Sequence, residues 1–505
     1  MKNKIVFLCA GLCIFFVAVF FENIENEKGF HSTYQQHLNS RKESELGEKP
    51  ESNNLVSHLP IIIINTDNQK IPGKAIIEDG LIVDYETTDG MEYILADMAM
   101  VDNEDDWNCE DQVPAFESDI TIHIRGNSSR AFDKPGYRIE LIKDKNPELK
   151  NKVSLLDMAK SSSYVLHGPF LDKTLIRNYV FMNIGNMITG NESEVRFCEL
   201  VLNGEYQGLY VLMETIDVGK GKLDLREYRK NEPICSYVVQ INTSVSDEKQ
   251  LDNFTYYTDR LTPKRQFEIV YPGNRNLDEN AINYIKTDLS EIERKLYSYT
   301  NLDDDDFYVD YIDEDSFVDY YIYEEFLGIY DMYNASTYFY KDARGKLHIG
   351  PFWDFNNALD NFFNPIKSDV FLLNDRGVYK YLFTSKRFTE KVIDRYHELR
   401  ETVLSDEYIR NYCDEVVEYL GSAVDRNYEI WEYSFDAANM PTSQRKNPYQ
   451  GDTKTRVEDI NPESYDEAFE MMFDYMQKRG AFLDEHIENL RQYYSYSKNA
   501  SKVVH

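Results

Sequence analysis

Cysteine is scarce in this chain of 505 residues, which contains only six. Cys9 and Cys13 lie in an apolar run at the N-terminus. The other four are Cys109, Cys198, Cys235 and Cys413. None of them has the spacing of a zinc ribbon or a CxxC pair, which excludes those two kinds of site. One or two disulfides and four isolated buried thiols both remain open interpretations, because a sequence does not pair cysteines.

Basic residues are also few relative to acidic ones. Lys and Arg together number 55 against 89 Asp and Glu, which gives a net charge of −34. An acidic surface repels nucleic acid and anionic membranes, so the sequence predicts no nucleic-acid partner. The charge is compatible with a cationic partner, with a divalent metal, or with solubility alone.

The N-terminus carries the signals of export. Lys2 and Lys4 precede an apolar run over residues 5–21, which predicts a signal peptide or signal anchor over residues 1–21. Large aromatics stand where a cleavage site needs small residues, and this favours the anchor. Residues 22–57 are polar and without periodicity, which predicts a flexible stalk between the membrane and the body.

The hydrophobic pattern changes partway along the body. Residues 58–280 contain β-branched runs and alternating segments such as "ITIHIRGNSS", which predict strands. Residues 281–505 have helical periodicity except for one strand pair, "STYFYKD" and "KLHIGPF". This order predicts an α+β protein with a sheet-rich N-lobe, a helical C-lobe and a cleft between them.

Two local signals within residues 58–280 are strong. Asn203-Gly204 lies between two alternating segments and predicts a tight β-hairpin. The segment "DKTLIRNYVFMNIGNMITG" predicts a helix with Asp172 as its N-cap and its end before Gly190.

Two aspartates flank the predicted strand pair of the C-terminal half. Asp331 follows a predicted helix just before the pair, and Asp354 follows it in "GPFWDFNNAL". Pairing the strands brings both acids to one edge, where one carboxylate binds Mg²⁺ and the other orients or deprotonates a hydroxyl. Protein kinases have the same order of helix, acid, hairpin and acid. The alternative is that the two acids only cap a helix and shape a turn.

A basic loop provides a second candidate half-site. Arg125, Arg130, Lys134 and Arg138 surround a Gly-Asn-Ser-Ser turn. Backbone N–H groups and hydroxyls in such a turn, with cations nearby, predict a cradle for phosphate oxygens. The alternative is a charged hairpin tip without a ligand.

These segments together resemble the CotH family, the kinase-like relatives of spore coat protein H. The motifs are "IRGNSSRAFDKPGYRIEL", "LHGPFLDKTLIRNYV", "LVLNGEYQGLYVLMETI", "EEFLGIYDMYNASTYFYKD" and "IGPFWDFNNAL", in this order. The resemblance implies a divergent protein-kinase-like fold with two lobes. It implies an atypical kinase at the cell or spore surface that transfers phosphate from ATP to Ser or Thr of partner proteins, using Mg²⁺ or Mn²⁺.

The resemblance also implies roles for the acids. Asp331 matches the essential acid before the hairpin and is expected to be catalytic. Asp354 matches the metal-binding aspartate and is expected to act in catalysis through the metal, with Asn356 as a further ligand. The helical lobe, residues 281–505, carries all three.

Residues 58–280 are then the nucleotide-binding lobe. Lys134 and Arg138 match the basic positions that contact ATP phosphates, and Arg125 lies in the same loop region. Glu214 closes the segment "NGEYQGLYVLME" and is expected in the nucleotide pocket.

Three positions depart from the family pattern and keep a second hypothesis open. Asn356 stands where an aspartate is common, so it offers an amide oxygen without a charge. Pro135 replaces the second lysine of a basic pair, and Ile329 stands where asparagine is common. Each departure favours the alternative of an inactive pseudokinase that serves as a structural or binding protein at the surface.

Overall fold

The structure is a computed structural model. It describes residues 31, 33–79, 81–242, 250–255, 266–273, 276–297, 304–329, 331–361, 365–440 and 461–494. The strands are β1 Val56–Ser57, β2 Ile61–Asn65, β3 Ala75–Glu78, β4 Leu81–Tyr85, β5 Ile94–Val101, β6 Asn108–Cys109, β7 Phe116–Arg125, β8 Gly136–Lys143, β9 Asn146–Lys150, β10 Ser163–His167, β11 Val195–Leu202, β12 Glu205–Glu214, β13 Tyr237–Asn242, β14 Gln250–Leu251, β15 Gln266–Tyr271, β16 Thr337–Lys341 and β17 Leu347–Ile349. The helices are α1 Gln36–Asn39, α2 Arg177–Thr189, α3 Glu279–Leu296, α4 Glu314–Leu327, α5 Tyr379–Leu382, α6 Lys386–Arg400, α7 Asp406–Leu420, α8 Ala423–Trp431 and α9 Tyr465–His486.

Seven strands of the N-terminal half close into a barrel. Strand β8 pairs with β7 on one side and with β10 on the other, and β12, β11, β2 and β5 complete the ring. All of these pairs are antiparallel except β2 with β11, which is parallel. The predicted hairpin at Asn203-Gly204 is confirmed as the β11–β12 turn, where both residues have positive φ.

The barrel separates two hydrophobic cores because successive side chains of a strand point to opposite faces. Ile122, Ile139 and Tyr164 lie in the core that fills the barrel. Val165 and Met213, on the same strands or their neighbours, lie instead in the larger core shared with the helices. Any polar residue of these strands therefore belongs either to the barrel interior or to the face that meets the helical half.

A second sheet joins the two halves of the chain. Its order is β14-β15-β13-β16-β17, and all of its pairs are antiparallel. Strands β13 to β15 come from the predicted N-lobe, whereas β16 and β17 come from beyond residue 280. The α+β fold class with a sheet-rich N-terminal part and a helical C-terminal part is confirmed, but the boundary at residue 280 does not separate two independent bodies.

Helix α2 starts later than predicted. It begins at Arg177, five residues after Asp172, and ends before Gly190, which has a left-handed φ of 73°. Asp172 is not the N-cap residue, but its Oδ2 accepts a hydrogen bond from the Arg177 backbone N–H at 2.9 Å. The side chain thus satisfies one free N–H of the first turn from the preceding loop.

The stalk predicted over residues 22–57 packs against the body in part of its described length, although residues 47–54 are exposed. Gln36 and His37 are 3% and 2% exposed. The Gln36 side chain accepts from the Phe197 N–H at 2.7 Å and donates to the Phe197 carbonyl at 3.2 Å. Polar composition suggested a solvated segment, but here the polar groups bond to backbone that would otherwise be unpaired.

The predicted signal segment over residues 1–21 lies outside the described residues. Within the described part of the chain, every helix is too short or too polar to cross a membrane. Four cysteines are described and all are buried free thiols, so the disulfide interpretation is wrong. They are Cys109, Cys198, Cys235 and Cys413.

Candidate active site

The two predicted aspartates flank the β16–β17 hairpin. Helix α4 ends at Gly328, whose left-handed φ of 67° turns the chain toward Asp331. Strands β16 and β17 then pair through Phe339 and Ile349, and Asp354 follows. Asn357, three residues after Asp354, donates from Nδ2 to Asp331 Oδ2 at 3.2 Å, so the hairpin brings the segment that carries Asp354 back to Asp331.

The Asp331 carboxyl is a weak acid in this setting. Burial, followed by the charge of Asp354, raises its pKa to about 6. Two groups oppose this rise. The Asn357 amide donates from Nδ2 to Asp331 Oδ2 at 3.2 Å, and the Arg376 guanidinium attracts the charged form.

The backbone of Asp354 is left-handed, with φ 71°. Aspartate tolerates this conformation better than most residues, and such strain is common at functional sites. Burial raises the pKa of the Asp354 carboxyl, while the Arg125 guanidinium and the Asn356 backbone N–H lower it. Arg125 itself lies over the Trp353 ring, 5.6 Å from its centroid.

The residues beside Asp354 fit a divalent cation. Asn356 Oδ1 is buried and has no hydrogen-bond partner, although an orphaned buried acceptor is costly. Its Nδ2 donates to Asn357 Oδ1 at 3.2 Å, which leaves the amide oxygen as the free end. Carboxylate and amide oxygens are the ligands that Mg²⁺ prefers. The described residues contain no cluster of three or more His, Cys, Asp or Glu side chains suited to a metal, so phosphate oxygens of a substrate would have to complete the coordination.

Helix α2 and Glu192, which follows it, hold the loop that carries Asp354. Asn178 Oδ1 accepts from the Phe355 N–H at 2.7 Å, and Arg177 Nε donates to the Ala358 carbonyl at 2.9 Å. The Glu192 carboxylate accepts from the Phe352 N–H. Sequence reasoning missed these positioning residues. Arg177 and Asn178 lie in "LHGPFLDKTLIRNYV", one of the segments that carried the family resemblance, but nothing in their spacing indicates the loop they contact.

Two of the predicted basic residues lie on one face of the barrel, and one of them, Arg125, lies over Trp353 beside Asp354. Arg138 pairs with His123 of the neighbouring strand, and Arg125 lies two positions further along β7, so all three share that face. Burial lowers the pKa of Arg138, Glu140 opposes this shift, and the charge of Arg125 lowers the pKa further. Two cations on one face suit an anion.

The arrangement is thus a pair of acids, an orphaned amide oxygen and two cations. Residues 122–483 match the model of the CotH kinase protein family, and they include every one of these groups. The chain belongs to this family. No curated protein matches the chain. CotH membership indicates an atypical protein kinase that uses ATP.

Two residues expected to bind nucleotide in this CotH protein lie elsewhere. Lys134 is 1% exposed, and its Nζ donates to Asn427 Oδ1 of α8 at 2.6 Å. Burial, and then the charge of Lys173, lower its pKa well below the usual value. In this position the Lys134 ammonium connects α8 to the loop before β8.

Glu214 is also separate from the two aspartates. It pairs with Tyr164 across β10 and β12 and therefore points to the barrel-interior face, opposite to Arg138. Its Oε1 lies 3.8 Å from Lys222 Nζ, and burial raises its pKa to about 7. A role for Glu214 in the nucleotide pocket is not supported by this orientation.

One cavity in the described part of the chain lies away from the two aspartates. It has a volume of about 410 Å³ and is lined by residues of the N-terminal segment, the 102–106 loop, Arg196 and Tyr419. None of the aspartates or arginines of the CotH site lines it. Cavity size is a weak guide here, because an open kinase site acquires its enclosed shape with the nucleotide bound.

Proposed function

We propose that this protein transfers the γ-phosphate of ATP to Ser or Thr hydroxyls of partner proteins. The observation that supports this most directly is the pairing of Asp331 and Asp354 beside the orphaned Asn356 Oδ1. Two carboxylates with separate hydrogen-bond environments suit two separate tasks, metal binding and orientation of the acceptor.

Each residue has a defined task in this scheme. Asp331, with its pKa near 6, is largely ionised at neutral pH and accepts a hydrogen bond from the acceptor hydroxyl. Asp354 and Asn356 would hold Mg²⁺ or Mn²⁺, which neutralises developing charge on the transferred phosphoryl group. Arg125 and Arg138 bind phosphate oxygens.

The sequence supports a location and a class of acceptor. Residues 1–21 favour export, either membrane-anchored or secreted, to the cell or spore surface. The net charge of −34 favours basic acceptor proteins, because opposite charges speed encounter and disfavour acidic competitors.

A pseudokinase at the same surface is the second candidate. Asn356 offers no charge to a metal, and the only lysine of the predicted phosphate-binding pair, Lys134, is buried against α8. This hypothesis predicts nucleotide binding, or no ligand at all, without phosphate transfer.

Labelled ATP separates the two candidates. The full chain is incubated with γ-³²P-ATP, Mg²⁺ or Mn²⁺ and a Ser-rich basic protein, beside Asp354→Ala. We expect label in the acceptor with the wild type and a loss of about a hundredfold or more with the variant. Asp414→Ala, at an exposed position of α7, is the matched control and should retain activity. Equal, background-level transfer by wild type and Asp354→Ala would sink the kinase proposal.

A further inference from the structure

Strands β3 and β4 form a two-stranded sheet that has no further partner strand in the described part of the chain. A hairpin of this kind leaves backbone N–H and C=O groups of its outer strand open to pairing. It also exposes large apolar side chains. Ile76, Leu81 and Val83 are 37%, 38% and 52% exposed. Exposed apolar groups beside an open strand edge are typical of a surface that takes up an extended peptide.

Acidic residues predominate in this part of the chain, although Glu86 pairs with Lys70 at 2.8 Å. Between Lys74 and Arg125 the chain contains no Lys or Arg, yet it has fifteen Asp and Glu. Six of these acids fall within residues 75–92, which hold the hairpin and the turn after it. The family match begins at residue 122, so this acidic surface belongs to a part of the chain outside the matched region.

The β3–β4 hairpin contacts the turn that follows β7, next to Arg125. The Arg130 guanidinium lies 4.1 Å from the centroid of the Tyr85 ring, and Arg130 Nε donates to the Gly126 carbonyl at 2.8 Å. Gly126 is adjacent to Arg125, which lies over Trp353. The end of β4 is therefore connected through Arg130 to the turn next to Arg125.

We propose that the β3–β4 hairpin docks an extended, Lys- and Arg-rich segment of the protein acceptor. The peptide backbone pairs with the open strand edge, its lysine stems cover the exposed apolar side chains, and its ammonium groups face the carboxylates. This inference rests on the proposed function for the identity of its partner, but docking is measured without any transfer.

Peptide binding to the full chain tests the surface directly. The probe is a short fluorescein-labelled peptide of alternating Lys and Ser, followed by anisotropy without ATP. The triple variant Glu78→Gln, Asp79→Asn, Asp84→Asn keeps the shapes of the side chains. We expect it to bind the peptide about tenfold more weakly than wild type, because three exposed charge pairs are lost.

The control removes the same charge from another place. Glu291, Glu429 and Glu470 are exposed on α3, α8 and α9, and their triple change to Gln should leave binding within about twofold of wild type. Equal weakening in both triple variants, or in neither, overturns the docking surface. If the wild type binds the peptide but transfers no phosphate, the proposed function is contradicted. The comparison of the two triple variants still decides whether the hairpin is the docking surface.

Discussion

At the scale of single residues, amide groups beside Asp331 and Asp354 influence the pKa values of the two carboxyls. The Asn357 side chain stabilises the ionised form of Asp331, and the backbone N–H of Asn356 does the same for Asp354. Both carboxyls nevertheless have raised pKa values, because burial outweighs these hydrogen bonds. The site therefore depends on small contacts that favour the ionised forms of both carboxyls.

Removing the Asn357 amide should move the pH profile of transfer. In Asn357→Ala the pKa of Asp331 rises, because a hydrogen bond to its charged form is lost. Activity requires ionised Asp331, so the acidic limb of the kcat/KM profile shifts to higher pH. We expect a several-fold loss at pH 6 and a smaller loss at pH 8.

Asn361→Ala is the matched control for this change. Its Nδ2 donates to the Asn356 carbonyl at 2.7 Å, so it supports the same loop without contacting Asp331. Its acidic limb should stay at the wild-type position. An unchanged limb in Asn357→Ala would show that Asp331 does not control the rate.

At the scale of elements, α2 connects the barrel to the loop that carries Asp354. A Cβ on Gly185 would lie 2.9 Å from the Phe352 ring, so the helix and the loop are in direct contact. Asn178 and Arg177 add hydrogen bonds to the loop backbone from the first turn of the same helix. The helix thus connects the outer face of the barrel to the geometry of Asp354.

The change Asn178→Ala should loosen the loop. It leaves the buried Phe355 N–H without an acceptor, which costs about 1–3 kcal/mol of unfolding free energy. Stabilisation of the protein by Mg²⁺-ATP, measured as a rise in Tm, should also shrink. Asn183→Ala is a suitable comparison, since Asn183 is buried in the same helix and its Nδ2 has no hydrogen-bond partner. If both variants keep the full ligand-induced shift, Asn178 has no positioning role.

Short-range sequence patterns predicted the hairpins and the two aspartates beside one of them. The faces on which other side chains lie depend instead on strand register. The Asn203-Gly204 hairpin and the order Asp331, hairpin, Asp354 follow from short-range signals and are found in the fold. The sequence did not reveal that Glu214, at the end of β12, points to the barrel interior, because the face of a strand depends on long-range pairing that a single sequence does not specify.

At the scale of the whole molecule, residues 33–57 hold the two halves of the chain together. Gln36 bonds to β11 of the barrel, and Gln35 accepts from Tyr412 of α7 at 2.7 Å. Further on, the Glu43 carboxylate accepts from the Ser422 N–H and hydroxyl just before α8. Sequence composition could not reveal this, because polar residues that cap buried backbone look the same as solvated ones.

Gln36→Ala should therefore destabilise the whole protein. It removes one acceptor and one donor from the buried Phe197 backbone, at a cost of about 1–3 kcal/mol. Urea denaturation should give a lower midpoint with an unchanged slope. Gln69→Ala, at an exposed position of a surface turn, should match wild type, and a wild-type midpoint for Gln36→Ala would mean that residues 33–57 add little to stability.

The parallel pairing of β2 with β11 has a consequence for synthesis of the chain. Ile61 lies opposite Glu199, so the two partners are 199 − 61 = 138 residues apart. The ribosome makes the isoleucine-rich β2 strand long before β11 exists, and at about 5–20 residues per second the delay lasts roughly ten seconds. Strand β5 can pair with one edge of β2 in that time, but the other edge stays open, which makes this segment the natural client of a chaperone acting on the nascent chain.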